Sequence, residues 1–232
     1  MRIERDVPVT DDGNVLRADV FIPIEEGTYP VILSYGPDGK GLAFQDGYKP
    51  QWDYLIDRYP EVAEGSSGLH QNWEVVDPEK WVPDEYVCVR VDSRGTGRSS
   101  GCVDVWSGRE TLDLYHCIEW AAAQSWSNGR IGLAGISYYA MNQYQVAALQ
   151  PPHLEAICPW EGASDWYREF ARHGGILCQF AEDWYCIPEA TSRRSPRRHH
   201  RRNGSRSMVT PTGSTSTPTG VWPFRNGSSI TI

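Results

Sequence analysis

The residue best placed to do chemistry in this chain is a serine between an apolar strand and a helix. Arg130-Ile131-Gly132-Leu133-Ala134 reads as a short buried strand and Gly135-Ile136-Ser137-Tyr138 as a tight turn; a helix then runs to about Leu149, stopped by Pro151-Pro152. A serine hydroxyl is a weak nucleophile that needs exposure, a base and a place for the oxyanion. A sharp strand-to-helix turn exposes it at the C-terminal edge of a sheet. The next backbone N–H, that of Tyr138, then points where an oxyanion would form, and the helix N-terminus favours negative charge there. Ser137 is thus the candidate nucleophile and the Tyr138 N–H the candidate oxyanion donor. The plainer alternative is Ser137 as the N-cap of an ordinary helix.

A base and an acid are expected after the serine, on later strands. Of the histidines that follow it, His153 trails Pro151-Pro152 and reads as a surface or packing residue, and His173 sits in a helical segment. His199 and His200 lie among arginines, which disfavour a base. Neither acid nor base is assigned. Asp92, just before the glycine-rich run Ser93–Ser99, and Arg94 within it read as turn-shaping residues. That run lacks the lysine and spacing of a phosphate loop. Glu161 and Asp165 follow a strand end where sheet-top sites form, with helix capping the simpler role for Asp165.

The elements that must position these residues follow from periodicity. Ile3–Thr10 and Val15–Ile22 alternate around Asp11-Asp12-Gly13-Asn14, a hairpin signal. Pro30–Tyr35, Tyr86–Asp92, Arg130–Ala134 and Leu154–Pro159 are short apolar runs of the buried-strand kind. Residues 109–124 have helical spacing, residues 165–180 look helical but broken at Gly174-Gly175, and residues 42–80 read as a long functional loop with short helices. A hairpin followed by strands alternating with helices predicts a mostly parallel sheet with helices on both faces.

Several blocks in this order resemble the Xaa-Pro dipeptidyl-peptidase and cocaine-esterase-like α/β-hydrolase family, over roughly residues 3–185: Glu4–Val9 to Leu16–Val20, Val91–Ser99, Ile118–Ala122, Trp126–Gly132, Gly135–Tyr138 and Pro151–Leu154. The resemblance implies an α/β-hydrolase sheet, a helical cap inserted after the strand ending near Pro159, and a C-terminal jelly-roll domain. It implies hydrolysis of small-molecule esters, or of peptides and amides after an Xaa-Pro unit, through an acyl-enzyme on Ser137, with no metal or organic cofactor. One departure stands out. The family places an oxyanion-binding tyrosine in the loop after the third strand; in Tyr35–Lys40 that position is Asp38, whose carboxylate would repel an oxyanion. Tyr35 belongs to the strand end and does not inherit the role.

Composition sets the outer bounds. Ten tryptophans and a 40% hydrophobic content fit a packed core and an aromatic cleft. The net charge is −8, but the segment from Thr191 carries eight arginines and no acid or lysine, so residues 1–190 hold −16. An acidic body argues against nucleic-acid binding. Cys88, Cys102, Cys117, Cys158, Cys178 and Cys186 form no C-x-x-C pair and read as reduced, mostly buried thiols. With no leader-like N-terminus and no apolar membrane span, a cytoplasmic location is expected. Residues 191–232 are low in complexity and are expected to be disordered. The expectation is therefore a partial hydrolase domain over 1–190, truncated before its last strands and nearly inactive. A non-catalytic α/β binding module or a decayed gene product is the alternative.

Overall fold

The computed structural model describes residues 1–10 and 13–180. The Arg/Ser/Thr/Pro/Gly-rich segment, the domain boundary expected near residue 190, Cys186, His199 and His200 lie outside the described residues, as do Asp11 and Asp12.

Strands β1 (Arg2–Thr10), β2 (Val15–Ile22), β3 (Tyr29–Gly36), β4 (Val87–Asp92), β5 (Ser127–Ile136) and β6 (Leu154–Trp160) form one sheet in the order β1-β2-β4-β3-β5-β6. β1 and β2 form the antiparallel hairpin and β2 pairs antiparallel with β4, while β4, β3, β5 and β6 run parallel. Every residue of β4 is buried, as expected for a parallel strand covered on both faces. Successive side chains alternate between the faces. Val31, Leu33, Val87, Val89, Val91, Ile131 and Leu133 face Leu114, Cys117, Ile118 and Ala121 of helix α4 (Gly108–Ala122) and Val146 of α5 (Tyr138–Ala147). On the other face Phe21 and Cys88 pack under Val76 and Val82, beside the short helix α3 (Pro78–Trp81).

The long segment after β3 carries helices α1 (Phe44–Gly47) and α2 (Lys49–Arg58) and a 3-10 turn, Pro60–Ala63. Its inner end is tied to the sheet by Arg90, whose guanidinium donates to the carbonyls of His70 (2.5 Å) and Val76 (2.6 Å). Burial pushes this guanidinium down to about 10. A buried arginine is costly unless its donors are satisfied; these two bonds offset part of that cost and fix the loop between the two carbonyls, while the Arg90 Nε has no partner among the described residues.

Two expectations need correction. Residues 165–180 are helical only at the start: a single π-helical stretch, Trp166–Ala171, gives way to the two-residue strands β7 (Arg172–His173) and β8 (Ile176–Leu177). Gly174 and Gly175, both at positive φ, turn the chain there. The thiols are also less buried than expected. Cys88 and Cys117 are buried, but Cys102 and Cys158 are exposed and Cys178 is intermediate. Cys158 is open because, among the described residues, β6 has a neighbour on one side only.

Candidate active site

β5 ends and α5 begins at Ser137, which has φ 56° and ψ −113°. This is the left-handed side of the map, where a non-glycine residue stores about 1–3 kcal/mol of strain. Ser137 stands at the N-cap position, yet its side chain makes no capping hydrogen bond. The neighbouring backbone holds the turn. The Ser137 N–H donates to the Trp160 carbonyl (2.9 Å), the Ile136 N–H to the Glu74 carbonyl (3.0 Å), and the Ser137 carbonyl accepts from Ala140 and Met141 (2.9 Å each). Tyr139 explains the small residue before the turn. A Cβ on Gly135 would lie 2.3 Å from the Tyr139 Cβ, and one on Gly36 would lie 2.4 Å from its ring. Polar side chains tie α5 to both flanking strands: Asn142 donates to the Tyr35 carbonyl (2.7 Å), and Gln143 accepts from the Cys158 N–H (3.0 Å).

Glu74 reaches the elbow because Arg90 pins both ends of its loop. Its carboxyl is pushed up to about 8, first by burial and then by the charge of Asp38, with Glu161 adding to the effect and a bond from Trp73 opposing it. Asp38, at the position of the expected tyrosine, is buried and accepts from the Tyr48 hydroxyl (2.9 Å). Burial lifts it to about 6, and the hydroxyls of Tyr48 and Tyr139 pull it back. Tyr48 also stacks on Trp73 at 4.2 Å, which joins this corner to Phe44 and Trp52.

The Tyr138 side chain reaches toward α4. Its hydroxyl donates to Glu110 of α4, and its ring stacks under Trp106 at 5.1 Å. Trp106 in turn touches Trp166 (4.2 Å) and Phe170 (5.0 Å) of the segment after β6. Glu110 is buried, which raises its carboxyl to about 7 against the hydrogen bonds it receives.

The other candidates fall into place by their contacts. The Asp92 carboxylate accepts from the backbone N–H groups of Lys40 (2.7 Å) and Arg98 (2.9 Å) and so shapes the turn after β4. Arg94 pairs with Asp113 at 2.6 Å. The Tyr35 hydroxyl is buried beside Asp113 (3.5 Å) and the Arg94 N–H (3.3 Å), away from any oxyanion role. Asp165 caps the π-helical stretch, accepting from Tyr167 and Arg168. Glu161 is exposed at φ 54°. Among the described residues no histidine bonds to Ser137. His70 meets Arg5 at 3.2 Å, His116 packs on Tyr115, His153 pairs with Glu119 at 2.7 Å, and His173 contacts the Glu169 carbonyl. Nor is any group of three or more His, Cys, Asp or Glu among the described residues placed to hold a metal ion. No described helix is long and apolar enough to cross a membrane.

Two site residues were missed from sequence. Glu110 closes the pattern Ser107-x-x-Glu110, a capping-box signature that could have drawn attention to it. Glu74 lies in the aperiodic segment 42–80 and carries no local signal.

Residues 12–219 match the family model described as X-Pro dipeptidyl-peptidase (S15 family). The match runs past residue 185, where the resemblance was expected to end. Cocaine esterase of Rhodococcus sp. (strain MB1 Bresler) is 28% identical over 162 residues, covering 68% of this chain and 25% of that protein. A Streptomyces avermitilis protein provisionally named Xaa-Pro dipeptidyl-peptidase is 32% identical over 119 residues, 45% of this chain and 18% of that protein. Among solved structures, a CocE/NonD family hydrolase from Staphylococcus aureus shares 40% identity at a TM-score of 0.71, over 84% of this chain and 34% of that one. The chain thus aligns with about a fifth to a third of the length of these relatives.

Proposed function

The chain belongs to the X-Pro dipeptidyl-peptidase (S15) family, and from that premise we propose that it is a serine hydrolase working through an acyl-enzyme on Ser137. Its substrates on this reading are small-molecule esters, or peptides and amides after an Xaa-Pro unit. The observation that carries the reading is the strained φ of Ser137 at a strand-to-helix turn, with no capping bond to account for it. A helix N-cap serine bonds a first-turn N–H; this one does not, so the plain capping role leaves both its conformation and its hydroxyl unexplained. In the reaction Ser137 Oγ would attack the carbonyl carbon while the Tyr138 N–H donates to the oxyanion. The bond to the alcohol or amine then breaks, the serine proton passes through a base to that leaving group, and water releases the acyl group.

Among the described residues no histidine bonds to Ser137 to act as the base of this cycle. We propose that turnover by this chain is nearly absent, because removing the histidine of a serine triad costs about a million-fold in kcat. The test is labelling of the full chain by a fluorophosphonate, with Ser137→Ala as control. Labelling at the rate of a working serine hydrolase, lost in the control, supports the nucleophile and sinks the inactivity reading. Slow labelling at Ser137 supports both. Labelling that persists in the control sinks the nucleophile assignment. If neither form labels, while both bind an ester or peptide ligand equally, the chain is a non-catalytic binding module.

A further inference from the structure

Glu110 is not among the groups assigned to the reaction above, yet its contacts converge on the residue after Ser137. It sits in the first turn of α4, whose N-cap Ser107 accepts from the Glu110 N–H at 3.1 Å. In a usual capping box the glutamate returns to the N-cap N–H. Here Oε2 instead accepts from the N–H of the preceding residue, Trp106 (2.7 Å), and from the Tyr138 hydroxyl. Trp106 is held at φ 57°, and its ring covers the Tyr138 ring with 23° between the planes. Tyr138 is thereby held at its hydroxyl and on its ring face, with 1% of its surface exposed.

Resting on the reading of Ser137 as nucleophile, we propose that Glu110 is a positioning residue for the elbow: through the Tyr138 side chain it sets the orientation of the Tyr138 N–H that would receive the oxyanion. The side chain and the N–H belong to one residue in the first turn of α5, so anchoring the hydroxyl from α4 restrains the peptide plane between Ser137 and Tyr138. A donor aimed at a developing charge is effective only when its orientation is fixed beforehand. The groups facing Glu110 are Tyr138 from α5, Tyr35 from β3, Ser93 from the turn after β4, Trp106 just before α4, and Asp113 from α4 itself, which is in turn paired with Arg94 and Arg109. Among the described residues Glu110 accepts from hydroxyl and N–H donors. Its carboxyl, lifted to about 7 by burial, therefore changes charge at neutral pH.

The test uses the full chain labelled with ¹⁵N-tyrosine, and Tyr138→Phe identifies the Tyr138 amide resonance by its disappearance. The expected result is a wild-type Tyr138 amide that shifts with pH around a midpoint near 7, and a shift that vanishes in Glu110→Gln, where the amide oxygen still accepts the hydroxyl but does not titrate. A resonance that stays still between about pH 5.5 and 8.5, or one that still titrates in Glu110→Gln, overturns the proposal. A purely structural glutamate would not tie the titration of this one amide to its own carboxyl. Fluorophosphonate labelling of the same samples provides the functional arm. Glu110→Ala is expected to label roughly ten- to hundred-fold more slowly than wild type, with Glu110→Gln close to wild type. Equal rates in wild type and a folded Glu110→Ala also overturn the proposal. If the amide titrates as expected but wild type does not label at Ser137, the failure falls on the hydrolase reading and the link from Glu110 to the Tyr138 N–H stands.

Discussion

Asp19, Asp92 and Asp113 are buried with cations at hand, whereas Asp38, Glu74 and Glu110, around the elbow, are met by hydroxyls and N–H groups. Lys40 reaches Asp19 at 2.8 Å and Asp92 at 3.8 Å, Arg5 adds a second contact to Asp19 at 2.5 Å, and Arg94 and Arg109 enclose Asp113. Asp6, at the bulge in β1, completes the first network with Lys40 and Arg98, whose charges hold its carboxyl below the usual range against the opposing effect of burial. Asp92 is intermediate: burial raises it, and the charge and N–H of Lys40 pull it down. The three elbow acids, by contrast, are raised to about 6, 8 and 7. Where the chain builds scaffold it matches buried charge with charge. Where it builds the candidate site it leaves carboxyls able to titrate near neutrality, as functional sites commonly do.

The largest effect that separates the two regions is on stability. Lys40→Met removes the cation shared by Asp6, Asp19 and Asp92, and stranding buried charge in this way costs about 3–5 kcal/mol. Urea unfolding at pH 7 should show that loss. A cost below about 1 kcal/mol would mean that the scaffold network is no better matched than the elbow.

The second effect is a pH dependence of opposite sign to ordinary acid denaturation. A carboxyl raised in the folded state stabilises it in the protonated form. Its contribution is complete below the unfolded value, near 4.5 for Glu and 3.8 for Asp, and is lost as pH rises through the folded value. Stability should therefore fall from pH 5 to pH 8 by several kcal/mol, at about 1.4 kcal/mol per pH unit for each carboxyl still below its folded value. Glu74→Gln should reduce the slope across the whole interval and leave little of it above about pH 7, while Asp38→Asn should reduce it only below about pH 6. Asp6, with its lowered carboxyl, acts in the other direction, and its contribution is lost only as pH falls into the acid range. A thermal midpoint that rises steadily from pH 5 to 8 would remove the contrast.

How much of this was legible in the sequence follows the range of the interactions. The elbow was, because strand, small residue, serine and helix are contiguous between Arg130 and Leu149 and each leaves a local signal. The hairpin and the parallel strands were legible for the same reason. Asp38 was visible as a departure from the family pattern. Its raised carboxyl was not, because it depends on burial, opposed by hydroxyls as far away in sequence as Tyr139. The exposure of Cys158 was missed because an apolar run does not reveal whether its strand is central or at an edge. The hairpin at Gly174-Gly175 was read as a helix break, which identified the turn but not the short strands on either side.

A smaller effect sharpens the role of α4 as the link between the regions, since it carries both Asp113 and Glu110. Ser107→Ala removes the N-cap acceptor for the Glu110 N–H and should cost about 1 kcal/mol. Chemical denaturation would measure the loss. If Glu110 is held mainly by Trp106 and Tyr138, the Tyr138 amide should keep its titration in this variant while global stability drops.

The smallest effect is expected where the geometry looks most like the largest. Lys49 contacts Asp53 at 2.8 Å, the same distance as Lys40 to Asp19, but its side chain is 70% exposed where that of Lys40 is 3% exposed. Water already solvates both partners of the surface pair, so closing it gains little and fixes two flexible side chains. Its order along α2 is also the weaker one, with the lysine N-terminal to the acid and so at the positive end of the helix dipole. Lys49→Ala should change the unfolding free energy by less than about 0.5 kcal/mol. A loss approaching that of Lys40→Met would show that distance and not burial governs these pairs, and the distinction drawn between scaffold and elbow carboxylates would fail with it.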